Sequence, residues 1–254
     1  MHKEPANPDL SILLPHVLVI CEKNPVQEKE ITFVVKKQLK CLSAENQMVF
    51  SPLLFRSGDF SNWDEWLANA REAPLQERKR MALSFQGRVD SPFLKAKPVK
   101  TWYFVGGFDN TGCVGFDRVY APENDCRLGQ TYVLAKGDTL RWVSAEVDTD
   151  KVLNLGNLIG RRDYVVAYAQ TTIEAKQAAE IPMLFGSDDA AVIWLNGTEI
   201  HREHVHRPVK ESSDLVFSRF QRGKNTILVK VGQRTGDWGL CMRLLDQNNL
   251  LSVP

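Results

Sequence analysis

From Thr101 onward the chain is a succession of short apolar runs closed by Gly, Asn, Asp or Pro, and that punctuation constrains the fold most. The runs are "TWYFVGGF", "TYVLA", "LRWVSAEV", "DYVVAYAQTTIEA", "EIPMLFG", "AAVIWLNGTEI", "DLVFSRF", "NTILVKVGQ" and "WGLCMRLLD". They give about nine candidate strands at the interval of an antiparallel sandwich. In "NTILVKVGQ", Ile227, Val229 and Val231 fall on one side and Thr226, Leu228 and Lys230 on the other. "DYVVAYAQTTIEA" begins more continuously apolar, as a central strand covered on both faces does.

The first 60 residues also read as strands. "HVLVIC" (16–21) and "EITFVVKKQLKC" (30–41) are rich in β-branched residues, and "NQMVFSPLLF" (46–55) is a third strand interrupted at Pro52. Residues 57–85 change character. Ser61 or Asn62 caps a helix with Asp64 and Glu65 in its first turn, and Trp63, Trp66, Leu67 and Ala70 make one apolar face. Pro74 breaks that helix or starts a second. The expected chain is therefore mainly β. A small β segment (1–60) leads through a helical connector and linker (61–91) to a β-sandwich domain (92–254).

Charge excludes some partners. Lys and Arg number 32 against 31 Asp and Glu, for a formal net charge of +1, so general attraction to nucleic acid or anionic membrane has no electrostatic basis. No run approaches the roughly 18–20 apolar residues that span a bilayer. The stretch 10–21 lacks the basic start and small-residue cleavage site of a signal peptide and reads better as a strand. The five cysteines, at 21, 41, 113, 126 and 241, show no CxxC spacing. They read as free thiols, with Cys113–Cys126 the short-loop bridge to expect if the protein is exported.

The order of motifs is more specific than any of them singly. "WYFVGGFDNTGCVGFDRVYAPE" (102–123), "RWVSAEVD" (141–148) and "VVAYAQTTIEA" (165–175) precede "LFGSDDAAVIWLNGTEIHR" (184–202) and "FQRGKNTILVKVGQRTGDWGLCMRL" (220–244). This series, above all G-S-D-D-x-x-x-x-W-x-N-G and G-x-N-x-(L/I)-L-V-K-V, resembles a jelly-roll β-sandwich of the galactose-binding-domain-like kind. Such modules are attached to bacterial glycoside hydrolases, polysaccharide lyases and other exported proteins. The resemblance implies a non-catalytic, exported or cell-surface module that binds carbohydrate or packs on a neighbouring domain, and it implies a structural calcium ion in many members.

Each candidate site residue has two readings. Asp188 and Asp189 either bond their own turn or accept from sugar hydroxyls or ligate calcium. As neighbours on a strand they face opposite sides, so they do not form a glycosidase pair. Trp194 covers the core or contacts ligand, and Asn196-Gly197 makes a type I′ hairpin turn whose Asn is also a ligand candidate. Asp109 and Asp117, in a glycine-containing loop, supply oxygen ligands or loop bonds. Trp238, beside two glycines, stacks on a sugar if exposed and packs if buried. His201, His204 and His206 are a candidate zinc set or a solvated loop. No GxSxG, P-loop or GxGxxG motif supports an enzyme, and a glycan hydrolase needs a cleft holding two carboxyls about 5–10 Å apart. Binding through loop acids and aromatics is the leading expectation, and a module that positions neighbouring domains or mediates assembly is the alternative.

Overall fold

The computed structural model describes residues 25–85, 93–134, 137–147 and 152–254. The chain divides into two compact units, Met1–Lys95 and Ala96–Pro254.

The first unit is helical where described: α1 (Pro25–Gln38), α2 (Ala44–Arg56), α3 (Trp63–Glu72) and α4 (Leu75–Ser84). This corrects the strands expected over 30–41 and 46–55; the expected strand at 16–21 lies outside the described residues. Spacing outweighs composition here. Ile31, Val35 and Leu39 are the less exposed positions at four-residue intervals, and in α2 Val49, Phe50, Leu53 and Leu54 are buried at helical spacing. Ser43 caps α2, its side chain accepting from the Asn46 N–H at 3.3 Å. Pro52 sits inside α2 and offers no N–H to the carbonyl of Met48; the Trp66 indole Nε1 donates to that carbonyl at 2.9 Å. The helices at 63–72 and 75–84 fall where the sequence places helices, inside the first unit, with Pro74 between them and Trp66 buried among Phe55, Trp63 and Phe85.

The second unit is the expected antiparallel β-sandwich. One sheet has the order β1 (Ala96–Pro98), β13 (Gly239–Leu245), β8 (Ala179–Asp188), β11 (Asp214–Phe220), with β6 (Leu153–Asn154) on β13. The other has the order β10 (Thr198–Glu203), β9 (Ala190–Leu195), β12 (Gly223–Gln233), β7 (Val165–Ala175), β2 (Thr101–Asp109), β5 (Val143–Glu146), with β14 (Leu251–Ser252) on β7. A separate hairpin joins β3 (Thr131–Val133) to β4 (Thr139–Arg141). Ile181, Met183, Phe185, Leu240, Met242 and Leu244 of the first sheet meet Ala167, Ala169, Ile193, Ile227, Val229 and Val231 of the second in one core. The alternation of β12 is the one its sequence predicts, and all nine runs contribute strands.

The outer face of the second sheet carries its own layer. Val105, Phe108, Val166, Tyr168 and Leu228 pack there with Tyr132 and Trp142 of the hairpin region. Lys230, only 2% exposed, is held beneath this layer. Its ammonium donates to Glu123 Oε1 at 2.8 Å and to the Arg118 carbonyl at 2.6 Å, and lies over the rings of Phe116, Tyr120 and Tyr168. Burial pulls its pKa down, and Glu123 pulls it back. Cys41, Cys113, Cys126 and Cys241 are free, as the cysteine reading expects, and the Cys113–Cys126 bridge tied to export is not formed.

Asn225 explains the G-x-N motif. Its side chain donates to the carbonyls of Gln221 and Gly223 at 2.8 Å and accepts from Gln221 N–H and Asn196 Nδ2 at 2.9 Å, tying two turns together while fully buried. Asn225→Ala strands those partners, so a loss of about 2–3 kcal/mol in the free energy of unfolding by urea is expected.

Candidate functional site

Strand register gathers five loops at one end of the sandwich. Asp109 and Gln233 both lie opposite Val165, Asp188 opposite Gly239, Glu203 opposite Ala191, and Asp214 opposite Phe185. The segments 110–120, 160–164, 188–190, 204–213 and 234–238 therefore share that end, and the Asn196-Gly197 turn lies at the other.

Side chain to backbone bonds lace these loops. Asn110 accepts from Phe116 N–H at 2.9 Å and donates to the Gln233 carbonyl at 3.0 Å. Its own N–H donates to the Tyr164 carbonyl, and Tyr164 N–H donates to the Arg234 carbonyl. Arg234 N–H then donates to Asp189 Oδ2 at 3.0 Å. The other oxygen, Asp189 Oδ1, accepts from Arg207 N–H at 3.1 Å and lies 2.6 Å from His206 Nδ1. Asp189 is 1% exposed, and its carboxylate is spent on protein donors.

The rest of G-S-D-D serves the same junction. A Cβ at Gly186 would lie 1.9 Å from the Lys210 carbonyl oxygen, so only glycine lets the 204–213 loop approach. Ser187 Oγ donates to the Asp189 carbonyl at 2.7 Å and accepts from the Arg207 guanidinium at 3.2 Å. Arg207 also pairs with buried Asp214, which lies 3.5 Å from His201 Nε2. Burial raises the pKa of Asp214, but His201 and Arg207 outweigh it and hold the carboxyl at about 2.

Asp188 is different. It is half-buried, and burial followed by the charge of Asp189 pushes its pKa up to about 6, against a backbone hydrogen bond from Val209. His206 stands exposed beside it, and the same loop end exposes Tyr164 and Arg234, whereas the Arg162 guanidinium lies over Gly107 of β2. The guanidiniums of Arg162 and Arg234 make no ion pair among the described residues.

Other sequence-derived residues separate from this point. Asp109 is exposed, accepts from Thr111 N–H and Oγ1 at 3.1 and 2.6 Å, and pairs with Arg118 at 3.4 Å. Asp117 is exposed, 3.8 Å from Arg202. Trp194 lies half-buried on the outer sheet face, and Asn196 takes the positive φ of the expected turn, with Gly197 following. Trp238 is 1% exposed, so it packs in the core and offers no stacking face.

The zinc set is also corrected. His201 is buried beside Asp214, His204 stacks on Phe116 with ring centroids 5.1 Å apart, and His206 holds Asp189. Among the described residues no group of three His, Cys, Asp or Glu side chains is arranged for a metal. Asp189 spends both oxygens on protein donors, and Asp109 Oδ1 accepts twice from Thr111, so neither of these oxygen sets is open to a calcium ion. Sequence reasoning missed Tyr164 and Arg234, whose backbones are bonded to each other across two distant loops.

No family model and no curated protein matches this sequence. Among solved structures, the chain is similar to a PA14 sugar-binding domain from an RTX adhesin at 14% identity, covering 35% of this chain and 50% of that one, TM-score 0.29. It is similar to a family 35 carbohydrate binding module from an environmental isolate at 12% identity, covering 35% and 70%, TM-score 0.29. It is also similar to an anti-sigma factor domain-containing protein at 11% identity, covering 61% and 46%, TM-score 0.37. The chain spans half the length of the adhesin domain and less than half of the anti-sigma chain. Similarities this distant assign no function. No helix among the described residues is long and apolar enough to cross a membrane.

The raised pKa of Asp188 has a definite sign. Folding favours its protonated form, so its contribution is fully present below about 3.8 and is lost as pH rises through about 6. Asp188→Asn removes that loss. The variant should gain about 1–2 kcal/mol on wild type between pH 4.5 and pH 7.5 in paired urea titrations.

Proposed function

We propose that the C-terminal unit is a non-catalytic carbohydrate-binding module whose ligand seats at the loop end, on Tyr164, Asp188, His206 and Arg234. One observation carries this reading: Asp188, half-buried beside an Asp189 that is wholly engaged, lies among loops laced by hydrogen bonds, at the end of the sandwich that also exposes Tyr164. Asp188 is the member of the acid pair with capacity left for sugar hydroxyls. Asp189 holds the loops in place, so little ordering entropy is spent on binding. The Tyr164 ring offers a face for the C–H side of a sugar. The likeness of the G-S-D-D and G-x-N segments to galactose-binding-domain-like modules supports the same class of ligand.

An assembly role is the second reading. Burial of Trp238 removes one stacking surface, while Val114, Val119, Leu128 and Val133 stand exposed on the 110–134 excursion, as a protein contact requires.

A glycan array probed with the whole chain separates the two. Retention of defined glycans is expected, and Tyr164→Ala and Asp188→Asn should each weaken it about tenfold. An array without signal, together with concentration-dependent self-association in sedimentation, overturns carbohydrate binding in favour of assembly.

A further inference from the structure

The outer face of the second sheet carries a strip that neither the core nor the loop end uses. Register sets Trp194 of β9 opposite Leu228 of β12, Leu228 opposite Gln170 of β7, and Gln170 opposite Tyr103 of β2. All four project away from the core: Leu228 and Tyr168 belong to the outer layer, while Ala169 and Val229 belong to the inner one. Two residues further along, Thr226 pairs with Thr172, whose side chain is exposed. On the other flank the strip meets the wall formed by Tyr132, Leu134, Leu140 and Trp142.

Two properties point to a ligand. Gln170 is 7% exposed, and its Oε1 has no hydrogen-bond partner. A buried amide left so costs about 1–3 kcal/mol, which a ligand hydroxyl offsets once the side-chain amide turns to bring this enclosed oxygen to the strip. The second property is the aromatic pair. Tyr103 is 39% exposed and Trp194 is half-buried, and they stand three strand spacings apart, roughly 14 Å at 4.8 Å per strand. Between and beside them lie an amide, a leucine and two threonines; charge enters only at the margins, with Glu199 opposite Trp194 and the Glu174–Lys224 pair beyond the threonines.

We propose that this strip binds an uncharged, unbranched β-1,4-linked glycan laid across the strands. Such a chain is extended and flat, and it presents apolar C–H ring faces to Tyr103 and Trp194. Its equatorial hydroxyls donate to Gln170 Oε1 and exchange with the hydroxyls of Thr172 and Thr226. An anionic glycan meets the Glu199 carboxylate at the Trp194 end, and a protein partner meets polar groups where it would need a continuous apolar patch. The strip shares no residue with the loop end, so this site stands or falls separately from the proposal there.

Cellohexaose and xylohexaose titrated calorimetrically into the whole chain test it. Saturable binding of at least one is expected, with Tyr103→Ala and Trp194→Phe each weakening it and Gln170→Ala weakening it about three- to tenfold. Tyr103 is exposed, so its replacement leaves the fold intact, and circular dichroism verifies this. No saturable binding of either hexasaccharide, or undiminished binding by Tyr103→Ala, overturns the strip, as does self-association that Tyr103→Ala abolishes. Array glycans bound through Tyr164 with hexasaccharides ignored refute the strip alone. Hexasaccharide binding lost in Tyr103→Ala, with the array otherwise silent, refutes the loop end alone.

Discussion

The carboxylate of Asp189 is where the loops at one end of the sandwich are tied together. Three donors reach it from two segments distant in sequence: the N–H of Arg234 from the β12–β13 loop, and the N–H of Arg207 with the His206 ring from the β10–β11 loop. A carboxylate out of water is costly unless its oxygens are hydrogen-bonded, and these bonds meet that demand while fixing the backbone of both loops. The tie continues through Arg234 and Tyr164 to Asn110, so the loop after β2 joins the same network. What the end presents to solvent follows from this inner lacing.

The outer face of the second sheet depends on a second buried charge. Lys230 occupies an outward position on a central strand, and a lysine there normally reaches water. Here Glu123 and the Arg118 carbonyl take its protons while three aromatic rings surround it. The 110–125 segment is thereby drawn down onto one half of the face. The other half, around Tyr103 and Thr172, stays open. A single ion pair thus divides the sheet surface into a covered part and an accessible part.

The strands were legible because period-2 alternation and turn residues are local signals, and β12 shows it with Ile227, Val229 and Val231 inward. The helices α1 and α2 were not, because their β-branched composition argues for strands while the four-residue spacing of Ile31, Val35 and Leu39 argues for a helix. Packing decides in favour of spacing. Pro52 misled for a related reason: the group that compensates for its missing N–H, the Trp66 indole, lies 18 residues from the carbonyl it satisfies. At the loop end, G-S-D-D was visible as a motif, but the division of labour within it was not. Asp189 is structural and Asp188 is available only because of where the 204–213 and 234–238 loops lie. Trp238 carried both readings, exposed or packed, because the residue that decides between them, Gly156, lies far away in sequence and lets the ring approach closely.

The two most specific motifs in the sequence prove to act on opposite ends of the same sheet. Asn225 of G-x-N locks the turn that precedes β12 to the Asn196 turn, and Asp189 of G-S-D-D locks the loop that follows β12 to the start of β9. β12 is the central strand between β9 and β7, so both ends of its ladder are pinned by a buried polar side chain. Register on this sheet tolerates no slip, since a shift of one residue would carry Lys230 into the core and Ile227 out of it. The motifs that identify the fold are therefore those that fix this register. Residues free of that duty, Asp188 and Tyr164 at one end and Tyr103 and Gln170 on the face, are left for recognition.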